Sequence, residues 1–358
     1  MNNLDGIDMS AIPVGLVGVT GYTGMELARI LSNHNKMKLV RVTSRAEAGK
    51  KLADIYPFLN GMELGALEIT MPEVDDLEKS CELVFLAVPH KTAMNIGGQL
   101  FDRGIKVVDL SADFRIRDRK TYEEWYKVDH TREDLLPKAV YGLPEFYRDQ
   151  VKGASLVANP GCYPTSVIIG LTPALAENLV ETTDIVIDAK SGASGAGRGA
   201  NVGTLFCEVA DSFRAYGLTS HRHTPEIEQE LSVVAEESIT VSFNTHLLPI
   251  DRGILSTIYT KVKDGVTAQE IRAAYAKAYD NEKLIRVLPE GQLPETRWVR
   301  GTMFCDVGVV PDPRTGRLII VTAIDNVCRG ASGQAVANAN LMLGFNEREG
   351  LALAPMMP

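Results

Sequence analysis

An apolar run at residues 14–19 passes through Gly15, Gly18, Gly21 and Gly24 into an amphipathic stretch at 22–32, and this strand–turn–helix constrains the fold more than any other feature. Glycines at GxxGxxG spacing permit a tight turn and let an anion approach the backbone at a helix N-terminus, where unpaired N–H groups point outward. Further apolar runs follow at 38–43, 83–88 and 106–110, with a helix-compatible stretch at 91–103 between the last two. Near-continuous apolar strands alternating with helices predict a parallel sheet covered on both faces. The fold class is therefore α/β, with a Rossmann-type dinucleotide-binding domain over residues 11–158.

The later part of the chain has a different pattern. Long β-type runs at 238–243, 254–262, 303–310 and 318–324 have few helices between them. One helix is expected to start at Thr224-Pro225-Glu226, with Thr224 as N-cap and proline at the first helical position. Another starts with the capping box Thr267-x-x-Glu270 and puts Ile271, Tyr275 and Tyr279 on one face. This pattern predicts an α+β domain with a mixed sheet over residues 159–325. A small-residue apolar helix at 333–343 closes the chain, and the 326–358 segment is expected to return to the first domain. A chain of 358 residues is long enough for two such cores.

Composition excludes several classes. A net charge of -9 leaves no basic footprint for nucleic acid. No apolar run approaches the roughly 20 residues that span a bilayer, so no membrane partner is expected. The five cysteines are odd in number and lack CxxC spacing, which argues against a disulfide framework and against a metal site. Residues 1–13 are polar and acidic and do not read as a signal peptide. A cytoplasmic location follows as the expectation.

The candidate dinucleotide contacts are Gly18, Thr20, Gly21, Tyr22, Thr23 and Gly24. An NAD site commonly places a carboxylate about 20 residues beyond the glycines to hold the ribose hydroxyls. Here that place holds Thr43-Ser44-Arg45. Ser44 and Arg45 suit a 2′-phosphate, which a carboxylate would repel, so the expected cofactor is NADP (NADPH).

Cys162 stands apart from Cys81, Cys207, Cys305 and Cys328, which sit in or beside apolar runs. It lies in Asn159-Pro-Gly-Cys162-Tyr-Pro-Thr165, after a strand at 155–158 and before a helix expected at 165–171. A thiol beside free helix N–H groups is favoured as thiolate, and the same amides can hold an oxyanion. His221-Arg222-His223 supplies two imidazoles and a guanidinium directly before a helix start. His221 is expected to be the acid/base, with His223 close behind and Arg222 or His223 binding an anion. His34 and His130 read as surface residues and His246 as structural.

Taken together, these motifs resemble the N-acetyl-gamma-glutamyl-phosphate reductases of arginine biosynthesis, relatives of the aspartate-semialdehyde dehydrogenases. The resemblance runs through Gly18–Gly24, Ala87-Val-Pro-His90, Asp109–Arg115, Asn159–Thr165, Ser191–Arg198, His221–Glu226 and Pro249–Gly253. Ser166 departs from the Gly or Ala usual there. The resemblance implies a small-molecule acyl-phosphate substrate and reductive dephosphorylation through a thioester on Cys162. It implies that Ser194, Gly195, Ala196 and Gly197 lie near the nicotinamide and that Asn326 contacts the cofactor. The second domain then also mediates assembly, to a homo-dimer or homo-tetramer. For the departing phosphate, Arg115 is the first candidate, followed by Arg198 and Arg222. The competing readings are a reductase of aspartyl or carrier-linked aminoadipyl phosphate, a nucleotide-sensing protein without turnover, and a Cys–His hydrolase.

Replacing Arg45 by Ala is expected to raise the KM for NADPH by about tenfold, with little effect on that for NADH. Steady-state kinetics with both coenzymes check this, and equal effects would refute the 2′-phosphate role.

Overall fold

The computed structural model describes residues 11–357. The expectation of no leader therefore falls mostly on residues outside the described ones. Seven short strands build the first sheet: β1 (Ile12–Val17), β2 (Met37–Thr43), β3 (Ile69–Thr70), β4 (Leu83–Leu86), β5 (Lys106–Asp109), β6 (Val140–Tyr141) and β7 (Leu156–Ala158). Every pairing is parallel, in the order β3-β2-β1-β4-β5-β7-β6. Side chains alternate between two cores because strand residues point to opposite faces. Leu16, Phe85, Val108 and Val157 enter one, and Val17, Leu86, Val107 and Leu156 the other.

The second sheet comprises β8 (Ile185–Gly192), β9 (Arg214–Tyr216), β10 (Val241–Leu248), β11 (Ile254–Lys261), β12 (Ile285–Val287), β13 (Cys305–Asp312) and β14 (Arg317–Ile324). Its order is β12-β13-β14-β11-β8-β10-β9, with β12/β13 and β8/β10 parallel and the other pairs antiparallel. The mixed sheet predicted from the later runs is present. One strand is displaced, because the run at 238–243 supplies only the start of β10. Ile239 stays outside it as a buried anchor, its N–H donating to Ser232 Oγ at 2.9 Å.

The Thr267–Glu270 capping box forms as the sequence predicts, and Ile271, Tyr275 and Tyr279 are buried beneath the Ala268–Tyr279 helix. The helix at Thr224 differs in register. Thr224 is its first residue, Pro225 its second, and His223 occupies the N-cap without a side-chain capping bond. The helix after Asn159 is longer than its local pattern suggests, running from Cys162 to Ala176. Pro164 falls in the first turn, where a missing N–H costs nothing. Thirteen of its residues are buried, so tertiary packing rather than amphipathicity sustains it.

The Gly333–Met342 helix buries Ala335, Val336, Ala339 and Leu341 in the same core as Leu16 and Phe85 of the first sheet. The last helix thus packs against the first sheet although it follows the second in the chain. Two histidines expected at the surface are buried instead. His34 accepts the N–H groups of Lys36 and Met37 at Nδ1 and donates from Nε2 to Asn340 Oδ1 at 3.0 Å. His130 donates to the Asp113 carbonyl at 2.7 Å. Both imidazoles are consumed by long-range hydrogen bonds that no local pattern announces.

Glu26, in the Tyr22–Leu31 helix, joins the domains. Its carboxylate takes Arg29 at 2.7 Å and Arg252 at 2.9 Å, and Arg252 also pairs with Asp325. Burial alone would raise its pKa, but the two guanidiniums drive it down to about 2. The folded pKa is depressed, so this stabilisation is full above about 4.5 and is lost as the pH falls toward about 2. It amounts to roughly 3 kcal/mol. The stability gap between the wild type and Glu26→Gln in urea titrations should therefore be widest near neutrality and close below pH ~4.5. A gap independent of pH would contradict this.

Candidate active site

Both crossings between the domains meet at Cys162. The first crossing, Asn159-Pro160-Gly161, brings the cysteine to the N-terminus of the Cys162–Ala176 helix, with Gly161 as an N-cap lacking a side-chain bond. The second, a π-turn over Cys328–Ser332, passes so closely that a Cβ at Gly330 would lie 2.7 Å from Cys162 Cβ. Cys162 is half-buried on the wall of a cleft of about 470 Å³ that it shares with Arg115, Ser194, Gly195, His221, Arg222 and His223. Cys81, Cys305 and Cys328 are buried as their apolar contexts suggest, whereas Cys207 is exposed.

Burial raises the Cys162 pKa to about 11, although the Tyr163 N–H and Arg115 act in the opposite direction. This corrects the expectation of a resting thiolate. The helix terminus is present, but desolvation of the charged form outweighs it in the free protein. A base must therefore accept the thiol proton when the sulfur reacts.

The two histidines are not equivalent. His221 Nδ1 accepts the His223 backbone N–H at 3.1 Å, which leaves its Nε2 carrying the proton. Burial and Arg222 lower its pKa to about 4, so it is a neutral donor at pH 7. His223 Nδ1 is buried without a partner, and its Nε2 would lie 2.7 Å from a Cβ at Gly161. Burial and the neighbouring His221, Arg115, His90 and Arg222 hold His223 well below its ordinary pKa. Among the described residues no hydrogen bond commits its tautomer. His221 is thereby set as a donor at Nε2, whereas His223 is left free to accept.

Arg115 reaches the cleft, but its donors are engaged. Nε donates to Asn159 O at 2.7 Å, Nη2 to Leu110 O at 2.8 Å, and Nη1 faces Glu226 at 3.4 Å. It acts as a strut more than as a free phosphate ligand. Arg198 lies elsewhere, donating to Thr20 O at 3.0 Å and covering the Tyr56 ring. Arg222 lines the cleft and meets no carboxylate among the described residues; its guanidinium lies over the Tyr126 ring. Glu226 is fully buried and was not singled out from the sequence. It accepts the Gly161 N–H at 2.8 Å and the Tyr141 hydroxyl at 2.9 Å, so it sets the backbone before Cys162.

The dinucleotide residues form a trough beside this cleft. Gly18 has φ +92°, and Gly18 N and Val19 N donate to Thr43 O, which folds the loop onto β2. A Cβ at Gly21 would have nothing nearer than 4.0 Å, so the space above this helix start is open to a ligand. Thr43 Oγ1 is buried and unpartnered, Ser44 Oγ lies 3.3 Å from Thr20 Oγ1, and Arg45 is exposed. These features fit a nucleotide pyrophosphate and a phosphorylated ribose. Asn326 takes the Gly253 N–H at 2.7 Å and donates to Ser194 Oγ at 3.0 Å, holding the Ser194–Gly197 loop at the junction of trough and cleft.

Residues 13–154 match the family described as semialdehyde dehydrogenase, NAD binding domain, and residues 162–326 the semialdehyde dehydrogenase dimerisation domain. The N-acetyl-gamma-glutamyl-phosphate reductase of Desulfotalea psychrophila is 50% identical over 97% of this chain and 100% of its own length. That of Geobacter sulfurreducens is 53% identical over 96% of this chain and 100% of its own. Aspartate semialdehyde dehydrogenase II from Vibrio cholerae shares the fold, with a TM-score of 0.69 and 15% identity over 93% of this chain and 99% of that one. The enzyme from Candida albicans, solved with NADP, gives 0.67 and 16% over 93% and 99%.

The Glu226 carboxylate acts to raise the Cys162 pKa, although burial raises its own as well. Glu226→Gln should therefore move the midpoint for Cys162 alkylation by iodoacetamide below about 11. An unmoved or higher midpoint would show that the carboxylate does not act on the sulfur.

Proposed function

The chain belongs to the N-acetyl-gamma-glutamyl-phosphate reductase family of semialdehyde dehydrogenases, and from that membership we propose that it reduces N-acetyl-L-glutamyl 5-phosphate to the 5-semialdehyde in arginine biosynthesis. The observation that carries this reading is the position of Cys162, on a helix N-terminus within a cleft that also holds two imidazoles and the Ser194–Gly197 loop. His223 accepts the thiol proton as Sγ bonds to the acyl carbon. The carbon–oxygen bond to phosphate breaks, leaving a thioester on Cys162 and free phosphate. Amides at the helix N-terminus face the oxygen that becomes negative during attack.

Gly18, Thr20, Gly21, Tyr22, Thr23 and Gly24 hold the cofactor pyrophosphate, Ser44 and Arg45 the 2′-phosphate, and Ser194–Gly197 with Asn326 the nicotinamide end. Arg198, placed on Thr20, belongs with this group and not with the substrate phosphate. NADPH, when bound, supplies the hydride that converts the acyl group to an aldehyde. His221, neutral and protonated at Nε2, steadies the developing oxyanion, and His223 returns its proton to the departing sulfur.

The domain division at 158/159, with 326–358 returning to the first domain, accords with the separate cores. We take the unit to be a homo-dimer or homo-tetramer. The outer face of the second sheet supports this, because Val186, Leu255, Tyr259, Ile319 and Val321 stay only partly buried there. Among the described residues no helix is long and apolar enough to cross a membrane. Five unpaired cysteines favour the cytoplasm.

Mixing the enzyme with the acyl phosphate in the absence of NADPH should add one N-acetylglutamyl group to Cys162. Mass spectrometry of the quenched protein reads the adduct, and Cys162→Ser should abolish NADPH oxidation. Turnover that survives this substitution would end the thioester mechanism.

A further inference from the structure

His90 follows β4 in Ala87-Val-Pro-His90, and its ring lines the same cleft as Cys162, yet the mechanism above leaves it idle. Its Nδ1 accepts the Ala112 N–H at 3.3 Å, so a neutral ring carries its proton on Nε2. Burial, with Arg222 and Arg115 nearby, lowers its pKa to about 4. At pH 7 the ring is therefore an uncharged donor in a positively charged corner.

The backbone around His90 is held against its preference. Lys91 has φ +77°, a left-handed conformation that costs of order 1 kcal/mol or more for a residue with a side chain. Asp113 maintains it, accepting the Lys91 N–H at 3.1 Å and the Met94 N–H at 3.0 Å. Tyr122 donates to the same carboxylate at 2.8 Å and stacks on Tyr126 with 4.8 Å between centroids. Tyr126 in turn meets the His90 ring edge-on at 5.2 Å and lies under the Arg222 guanidinium at 5.6 Å. Three elements thus brace one imidazole and one free guanidinium on a shared aromatic wall.

The acyl phosphate brings a leaving group bonded to the carbon that Sγ attacks, so the phosphate must sit beside the sulfur. Arg115 is there, but Glu226 offsets its charge and three of its donors are occupied. Other donors must complete the shell of a dianion with several acceptor oxygens. We propose that His90 Nε2–H and Arg222 together form the phosphate subsite, with His90 as the directional donor and Arg222 as the countercharge. Asp113, by holding Lys91 in its left-handed conformation, keeps His90 in the cleft lining, where a neutral donor binds and releases phosphate without exchanging a proton. This assignment rests on the acyl-phosphate reading of the site.

The test uses inorganic phosphate, in two assays on the intact enzyme. In the first, phosphate protects Cys162 from iodoacetamide without any coenzyme, giving a dissociation constant. In the second, the reverse reaction supplies separate KM values for phosphate and for the semialdehyde. His90→Ala should weaken both phosphate constants roughly tenfold while the semialdehyde KM moves by less than about twofold. His90→Gln, which retains an N–H donor, should recover most of the loss. Unchanged phosphate constants in His90→Ala would overturn the proposal. So would an equal rise in both KM values, which marks a merely structural role, or a rise confined to the semialdehyde, which places His90 at the carbon chain. Failure of the wild-type enzyme to turn over the acyl phosphate would instead sink the parent reading.

Discussion

Beneath Cys162 lies the carboxylate of Glu226, cut off from water and answered by two groups of the first domain and one of the segment that crosses between the domains. Tyr141 comes from the edge of the first sheet, Arg115 from the loop after β5, and the Gly161 N–H from the crossing segment. Removing one partner of a buried ion pair typically costs 3–5 kcal/mol, because the other charge remains stranded. Docking the domains and placing Cys162 are therefore one event. A misdocked pair would leave Glu226 uncompensated and the cysteine loop without its anchor.

The same enclosure sets the electrostatics of the cleft. His90, His221 and His223 are all depressed by burial and by the arginines around them, so positive charge in the resting cleft resides on guanidinium groups. Cys162 is held as a thiol with a pKa near 11. A neutral imidazole beside a neutral thiol can exchange a proton with little change in net charge. The Arg222 guanidinium, lying over the Tyr126 ring, leaves a positive charge in the lining of this cleft.

Close backbone approach is the other requirement. Gly161 lets His223 and Arg115 close over the peptide before the nucleophile, and Gly330 lets the returning chain press against Cys162 itself. Asn326, just upstream of Gly330, holds the loop at Ser194. Asp325 takes the N–H groups of Gly301, Val327 and Cys328 as well as Arg252. Through Glu26 that ion pair reaches the helix of the dinucleotide loop. The reacting sulfur and both ends of the cofactor trough are thereby tied to one compact joint.

The chain's local patterns determined the parallel sheet, the glycine loop, the capping box at Thr267 and the singular setting of Cys162. Each depends on residues a few positions apart, where strand alternation, helix period and turn chemistry act directly. Tertiary structure decided the rest. The division of labour between His221 and His223 hangs on a tautomer and on Gly161. The commitment of Arg115 hangs on Glu226, 111 positions away. The burial of His34 depends on Asn340, 306 positions away. Ionisable side chains take their protonation state and their free donors from whatever the fold brings against them, and no local period encodes that. Patterning could therefore single out the sulfur, but only the packed domains bring two imidazoles and the Arg222 guanidinium into one cleft with it.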